Sequence, residues 1–330
     1  MALNSGFELP PLDDFIERME ALEGVRKKAR SAAGRIWLQA LAAWVLAFVL
    51  TFFLIGGTVG WVIFGVVAIG VLVWAAIKNA AAIEPYKQAY KDRVLAPLVE
   101  AILPGFSHDP DAGIDEETYL ASRLFPTRPD RYHTEDRFSG ELEGVPLTFA
   151  EVHSEEEHED CDDDGCDTSY TTIFKGLFAV AEFPKKFAGT VLVYPDRSEK
   201  LLGHLSRSLQ RLGGRFRGLE LIKLEDPEFE RRFVVYSDDP VTARYVLSTS
   251  LMEALRRFRD HYGRIYASFL DGTLYLAVPV REDLFEPPPV WKKAVDPERL
   301  RRYAEALAMM RGVVTELGLN VRIWGERALE

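Results

Sequence analysis

From Ile36 to Ile77 the chain carries no charged side chain, a run of forty-two residues. One straight helix of that length would rise about 63 Å, twice the ~30 Å of a bilayer's hydrocarbon core. Two spans fit better: Ile36 to Ile55 and Trp61 to Ile77. Between them lies IGGTVG, where three glycines allow a tight reversal. Trp37, Trp61 and Trp74 fall near span ends, where indole rings favour the membrane–water interface. The run begins too late and is too long for a cleaved signal peptide. The plainer reading is a buried helical hairpin in a soluble core, and uncharged runs this long are rare there.

Helical periodicity continues on both sides. In PLDDFIERMEALEGVRKKAR, Phe15, Met19, Leu22 and Val25 recur at helical spacing, with acids ahead of bases. This segment is expected to run into the first span. After the second span, Tyr86, Tyr90, Val94, Leu98 and Ile102 repeat every four residues, which predicts a helical stalk. Pro85 suits a first-turn position there, and Pro97 predicts a kink.

From Phe106 the texture changes to short strands. SGELEG, VPLTFAEVH, TTIFKGLFAVAEF and GTVLVYPD form one set; LELIKL, FERRFVVYS, RIYASFLDG and TLYLAVPV form another. Asp271-Gly272 is a strong hairpin signal. DEETYLASR reads as a short helix capped by Asp115, and DPVTARYVLSTSLMEALRRFRDHY as mostly helical. The expected class is α+β: a two-helix transmembrane hairpin with helical stalks, then a mainly antiparallel sheet with packed helices. The expected divisions are 1–35, 36–77, 78–105, 106–285 and 286–330. In the last, EPPPVW predicts a stiff linker. The final helix then begins with an Asp cap and a first-turn Pro. Its apolar side is Leu300, Ala304, Leu307, Val314 and Leu317. That side either packs on the protein or binds a membrane-associated protein partner.

Charge adds orientation. Arg26, Lys27, Lys28, Arg30 and Arg35 precede the first span; Lys78, Lys87, Lys91 and Arg93 follow the second; the turn has none. The positive-inside rule puts both termini in the cytoplasm of a cell with the hairpin in its membrane. Neither span holds an ionisable residue, which argues against an ion pathway. Gly65 and Ala68 are compatible with helix packing and a homo-oligomer. The net charge of −11 is local, because ten carboxylates and no bases lie between Glu151 and Asp167. The remainder is near neutral, so no nucleic-acid partner is expected. Two cysteines make no disulfide scaffold.

The candidate chemistry sits in HSEEEHEDCDDDGCDTS, residues 153–169. Asp160, Asp162 and Asp164 followed by Gly165 match the opening of a calcium loop, though its twelfth position is Thr171 rather than Glu. His153, His158, Cys161 and Cys166 offer four zinc ligands, at wider spacing than a cysteine knuckle. The stretch also reads as an acidic surface for a basic partner, or as a mobile, solvated hairpin tip. The tip is the preferred reading. Elsewhere PDRYHTED offers Arg131, Tyr132, His133, Glu135 and Asp136, either as a salt-bridged turn or as a site lining. Asp238-Asp239 before Pro240 reads as a helix cap. His108, His133, His204 and His261 are scattered singly. No activated-nucleophile, phosphate-loop or metalloprotease pattern is present, and no cofactor is called for.

RVLAPLVEAILPG, ASRLFP, PDRYHTEDRFSGELEG, FAEVHSE, TTIFKGLFAVAEF, FVVYSDDPVTARYVLSTSLMEAL, DGTLYLAVPV and LGLNVRIW lie between residues 84 and 324. Through them the chain resembles a family of uncharacterised bacterial two-pass membrane proteins with a cytoplasmic domain of unknown function. The resemblance implies the same hairpin-plus-domain layout in a bacterial inner membrane, and no catalytic residues. The acidic, cysteine-bearing insert is where this chain departs from it. The function expected is a membrane-anchored binding or scaffold module; the alternative is a tethered enzyme built from dispersed residues.

Overall fold

The computed structural model describes residues 9–55, 57–162, 165–195 and 218–319. The chain divides into two compact units: residues 11–98 with 285–301, and residues 99–284 with the chain from Arg302 onward.

In the first unit, α1 (Asp13–Ala21) and α2 (Glu23–Leu50) are nearly continuous, separated only at the buried Leu22. A π-turn, Thr51–Ile55, ends α2; the Thr51 hydroxyl donates to the carbonyl of Ala47 at 2.8 Å. The chain then reverses, and α3 (Gly57–Tyr90) starts at once. The break is therefore narrower than the Ile55–Gly60 stretch expected, because Gly57, at φ +60°, supplies the left-handed conformation needed. Near the apex, Phe64 packs its ring edge-on to Trp44 at 5.3 Å and to Phe48 at 5.6 Å. Ala29, Ala33, Ala40 and Ala75 are buried, while Leu38, Phe53 and Val62 are 68%, 76% and 67% exposed. Both helices are long and apolar enough to cross a membrane, and only 11% of each apolar window is buried. The core helix of a soluble fold would be mostly covered.

α3 passes Ile77 without interruption, so the expected stalk is the same helix and Pro85 lies inside it rather than in a first turn. A second π-turn, Lys91–Leu95, leads into α4 (Ala96–Ile102). Pro97 explains it: the ring lacks an N–H and crowds the carbonyl four residues back, and widening the helix relieves both. The stretch expected to be a linker is packed instead, with Phe285, Pro287, Pro288, Val290 and Ala294 buried.

In the second unit, the described residues form one antiparallel sheet in the order β1-β2-β3-β4-β9-β8-β5-β7-β6. The strands are β1 (Ser107–Asp109), β2 (Arg131–Leu142), β3 (Val145–Asp162), β4 (Gly165–Glu182), β5 (Thr190–Pro195), β6 (Glu220–Ile222), β7 (Phe233–Ser237), β8 (Tyr266–Leu270) and β9 (Thr273–Pro279). Two-residue turns join β2 to β3 at Glu143-Gly144 and β8 to β9 at Asp271-Gly272, all four residues at positive φ. The helices are α5 (Glu116–Ala121), α6 (Pro227–Glu230), α7 (Pro240–Val246), α8 (Thr249–Tyr262) and, from Arg302 onward, α9 (Pro297–Thr315). Asp115 caps α5: its carboxylate accepts the Thr118 N–H at 2.7 Å, which holds it below the usual carboxylate range. Asp239 caps α7 through Val241 and Thr242, while Asp238 accepts the Thr190 N–H at 3.0 Å.

One face of the sheet carries an aromatic core, in which Tyr119 meets Phe178 at 5.4 Å and Phe125 meets Phe174 at 5.0 Å. Leu307 and Val314 of α9 are fully buried, so that helix's apolar side is occupied by the protein itself.

Candidate functional site

PDRYHTED is not a turn. From Arg131 it belongs to β2, and strand alternation divides its side chains between two faces. Tyr132 packs against the aromatic core and donates its hydroxyl to the carbonyl of Ile114 at 2.8 Å. Asp136 is buried beside His108, 2.8 Å away. His133 and Glu135 line an open cleft instead. On β3 the same alternation sends Val152 to the aromatic core and turns Glu151 and His153 toward the cleft.

Register then assembles the site. His133 lies opposite His153, and His153 opposite Lys175, forming a basic row across β2, β3 and β4. The next row pairs Glu135 with Glu151. The segment after β9 closes over these rows. Val280 donates its N–H to the carbonyl of Lys175 at 3.0 Å, and Leu284 donates to the Glu151 carboxylate at 2.9 Å. Lys175 pairs with Asp283 at 2.8 Å. Glu282 and Asp283 complete the rim of a cleft of about 190 Å³. Gly176 lies on its floor, where a side chain would strike the backbone at Val278 and Val280.

The cleft carries four carboxylates, Glu135, Glu151, Glu282 and Asp283, against one lysine and two imidazoles. His153 Nε2 stands 3.4 Å from the Thr172 hydroxyl and 3.5 Å from Glu155; His133 Nε2 stands 3.7 Å from Glu135. No serine, threonine, tyrosine or cysteine side chain lines it among the described residues. A larger hollow of about 440 Å³ includes Phe183, Lys185 and Asp271 in its lining, but the Lys185 amine is committed to the carbonyls ending α7, 2.7 Å from Tyr245 O.

The metal-ligand sets read from sequence lie in part outside the described residues. The expected mobile tip is a paired ladder: β3 runs to Asp162 and β4 resumes at Gly165. Three of its acids face hydroxyl-bearing partners, Glu156 opposite Thr171, Glu157 opposite Tyr170 and Glu159 opposite Thr168, which lowers like-charge repulsion, while Asp160 lies opposite Asp167. Tyr170 bonds Glu157 at 2.8 Å, under the Arg131 guanidinium, 3.3 Å from the ring centroid. Of the calcium-like set, Asp164 lies outside the described residues, as do the side chains of Asp160 and Asp162; the backbone of 160–162 and 165–171 is strand, not a loop wound round an ion. Of the zinc-like set, Cys166 lies opposite Cys161 and is disulfide-bonded. His153 and His158 stand five residues apart on an extended strand, roughly 16 Å, beyond the reach of one ion. No group of three His, Cys, Asp or Glu suited to a metal occurs among the described residues. His204 also lies outside them.

Sequence reasoning missed Glu151, Lys175, Gly176 and the 280–284 segment. The available signal was polar alternation, His-Thr-Glu in β2 and Glu-Val-His in β3, whose antiparallel pairing aligns like with like.

The sequence model of a family described as "Protein of unknown function (DUF3137)" matches residues 172–319, less than half of the chain. The match includes Lys175, Gly176 and the segment over the cleft, but not the two histidines. No curated protein matches the chain. Among solved structures, the crystal structure of the mycobacterial trehalose monomycolate transport factor A, TtfA, is similar at 10% identity and a TM-score of 0.32. The alignment covers 62% of this chain and 88% of that one. A likeness of that size carries no argument.

Proposed function

We propose that this chain is a membrane-anchored binding module whose cleft on β2, β3 and β4 receives a basic segment of a membrane-associated protein. The anchor is the pair of spans, Ile36 to Ile55 and Trp61 to Ile77, in a bacterial inner membrane. What supports the anchor is the sleeve of exposed apolar side chains on α2 and α3, far larger than water-exposed patches usually are. What supports the binding role is the excess of carboxylates in the cleft, continued outward by Glu155, Glu156, Glu157 and Glu159 on the paired arm. Complementary charge speeds encounter and selects partners, and it weakens with salt. The two imidazoles are acid–base groups an enzyme could use, and His153 Nε2 stands 3.4 Å from the Thr172 hydroxyl.

The test is a titration of the detergent-extracted full chain with a fluorescent lysine- and arginine-rich peptide at low and moderate salt. Glu135→Gln with Glu282→Gln is expected to weaken binding about tenfold and to flatten its salt dependence. A variant with the arm beyond Glu156 and Thr171 replaced by a short turn should keep most of the affinity. Unchanged binding by the cleft variant, with loss in the arm variant, would overturn the cleft as the site.

A further inference from the structure

We propose that the turn Pro289 to Lys292 is a second membrane contact, with Trp291 at the bilayer interface and Lys292 and Lys293 on anionic headgroups. This rests on the two-span reading above and adds a lipid preference to it.

The local cause is in the sequence PPPVWKK. The prolines restrict the approach, and Lys292 closes the turn by donating its N–H to the Pro289 carbonyl at 2.8 Å. Val290 and Ala294 are buried on either side, while Trp291, Lys292 and Lys293 are exposed, Trp291 by 68%. Among the described residues, exposed large apolar side chains outside the hairpin of α2 and α3 are few: Leu221, Val241, Tyr245 and Trp291. Of these, Trp291 belongs to the unit that carries the spans.

The turn is fastened to the base of the hairpin. The buried Arg26 guanidinium donates to the Val290 carbonyl and to Glu23, 2.9 Å from Nε. Glu23 also accepts the Ala294 N–H at 3.1 Å, and Lys87 pairs with Glu286 at 2.9 Å. An exposed indole is thus held in place beside two ammonium groups, the pairing that suits a lipid interface.

Reach is sufficient. Arg26 precedes Ile36 by ten residues, about 15 Å along a helix. The headgroup zone extends roughly 5–8 Å beyond the hydrocarbon, leaving roughly 7–10 Å, about a Debye length, for the turn and its long Trp291 and lysine side chains to cross. The neighbouring helix adds Lys27, Lys28, Arg30 and Arg35, all exposed. Bases outnumber the acids of this region, Glu84 and the Lys87-paired Glu286, and the net positive collar fits an anionic lipid surface. Each basic residue near such a surface strengthens attachment roughly fivefold.

The experiment uses the full chain, labelled with fluorotryptophan, in nanodiscs containing lipids with a paramagnetic headgroup. The resonance absent from Trp291→Phe identifies Trp291. With about one-third anionic lipid its broadening should be at least threefold that in zwitterionic discs, and Lys292→Glu with Lys293→Glu should abolish the difference. Equal broadening in both lipids, or indifference to the lysine variant, would overturn the contact. Alkaline extraction of native membranes separates the two readings. Release of the chain would sink the spans and this contact together; retention with an unresponsive Trp291 would sink the contact alone.

Discussion

Gly176 shows how one residue can carry a site. At φ +153° it brings β4 against β9, and a methyl group there would meet backbone atoms of Val278 and Val280 rather than a yielding side chain. Gly176→Ala should therefore lower stability by about 1–3 kcal/mol and displace the segment over the cleft. Thermal unfolding would read the first effect, and loss of peptide binding the second. A melt unchanged from the parent would mean that the strands part freely. Nothing in the sequence singled out this glycine, since its constraint comes from a strand about one hundred residues away. The capping role of Asp239 was legible, because a cap is satisfied by residues two and three positions on.

Among the elements, the β3–β4 hairpin is the informative case. Beyond Glu155 it loses β2, and beyond Gly176 it loses β9, so its outer part pairs only with itself. Replacing residues 157–170 with Asn-Gly should leave the melting transition of the full chain cooperative, with stability changed by no more than about 1 kcal/mol, because shortening a surface excursion costs little entropy. Loss of cooperative unfolding would show that the arm supports the sheet. The sequence marked this stretch as a hairpin, but its charge density suggested a loose tip. The mistake lay in counting charges along one strand; the partner strand, with Thr168, Tyr170 and Thr171, decides whether they are tolerated. The apolar side of α9 shows the same limit. Spacing revealed the stripe, and only tertiary packing showed that it is covered.

At the scale of the whole molecule, two physical signals oppose one another. Basic residues flank both spans, which favours cytoplasmic termini. Cys166 is disulfide-bonded, a state that oxidising compartments maintain. The flanking charges set orientation during insertion, whereas a thiol pair adjusts to wherever it is delivered. A C-terminal reporter should therefore read cytoplasmic, and the Cys166 disulfide should be reduced there, so that alkylation in intact cells traps Cys161 and Cys166 as thiols. A periplasmic reporter signal, with both cysteines protected, would reverse the topology.

What the sequence determined by itself was whatever depends on neighbours along the chain. The two apolar helices, the hairpin turns, the caps and the α+β class follow from periodicity, turn chemistry and charge over a few residues. Only the tertiary structure decided which distant residues share a surface. The cleft needs His133, Glu151, Lys175 and Asp283 from three strands and a crossing segment, and the turn at Trp291 needs Arg26 and Glu23 from the far end of the chain. Strand order, register and long-range hydrogen bonds set those meetings. They depend on the free energy of the assembled fold, which local spacing does not encode.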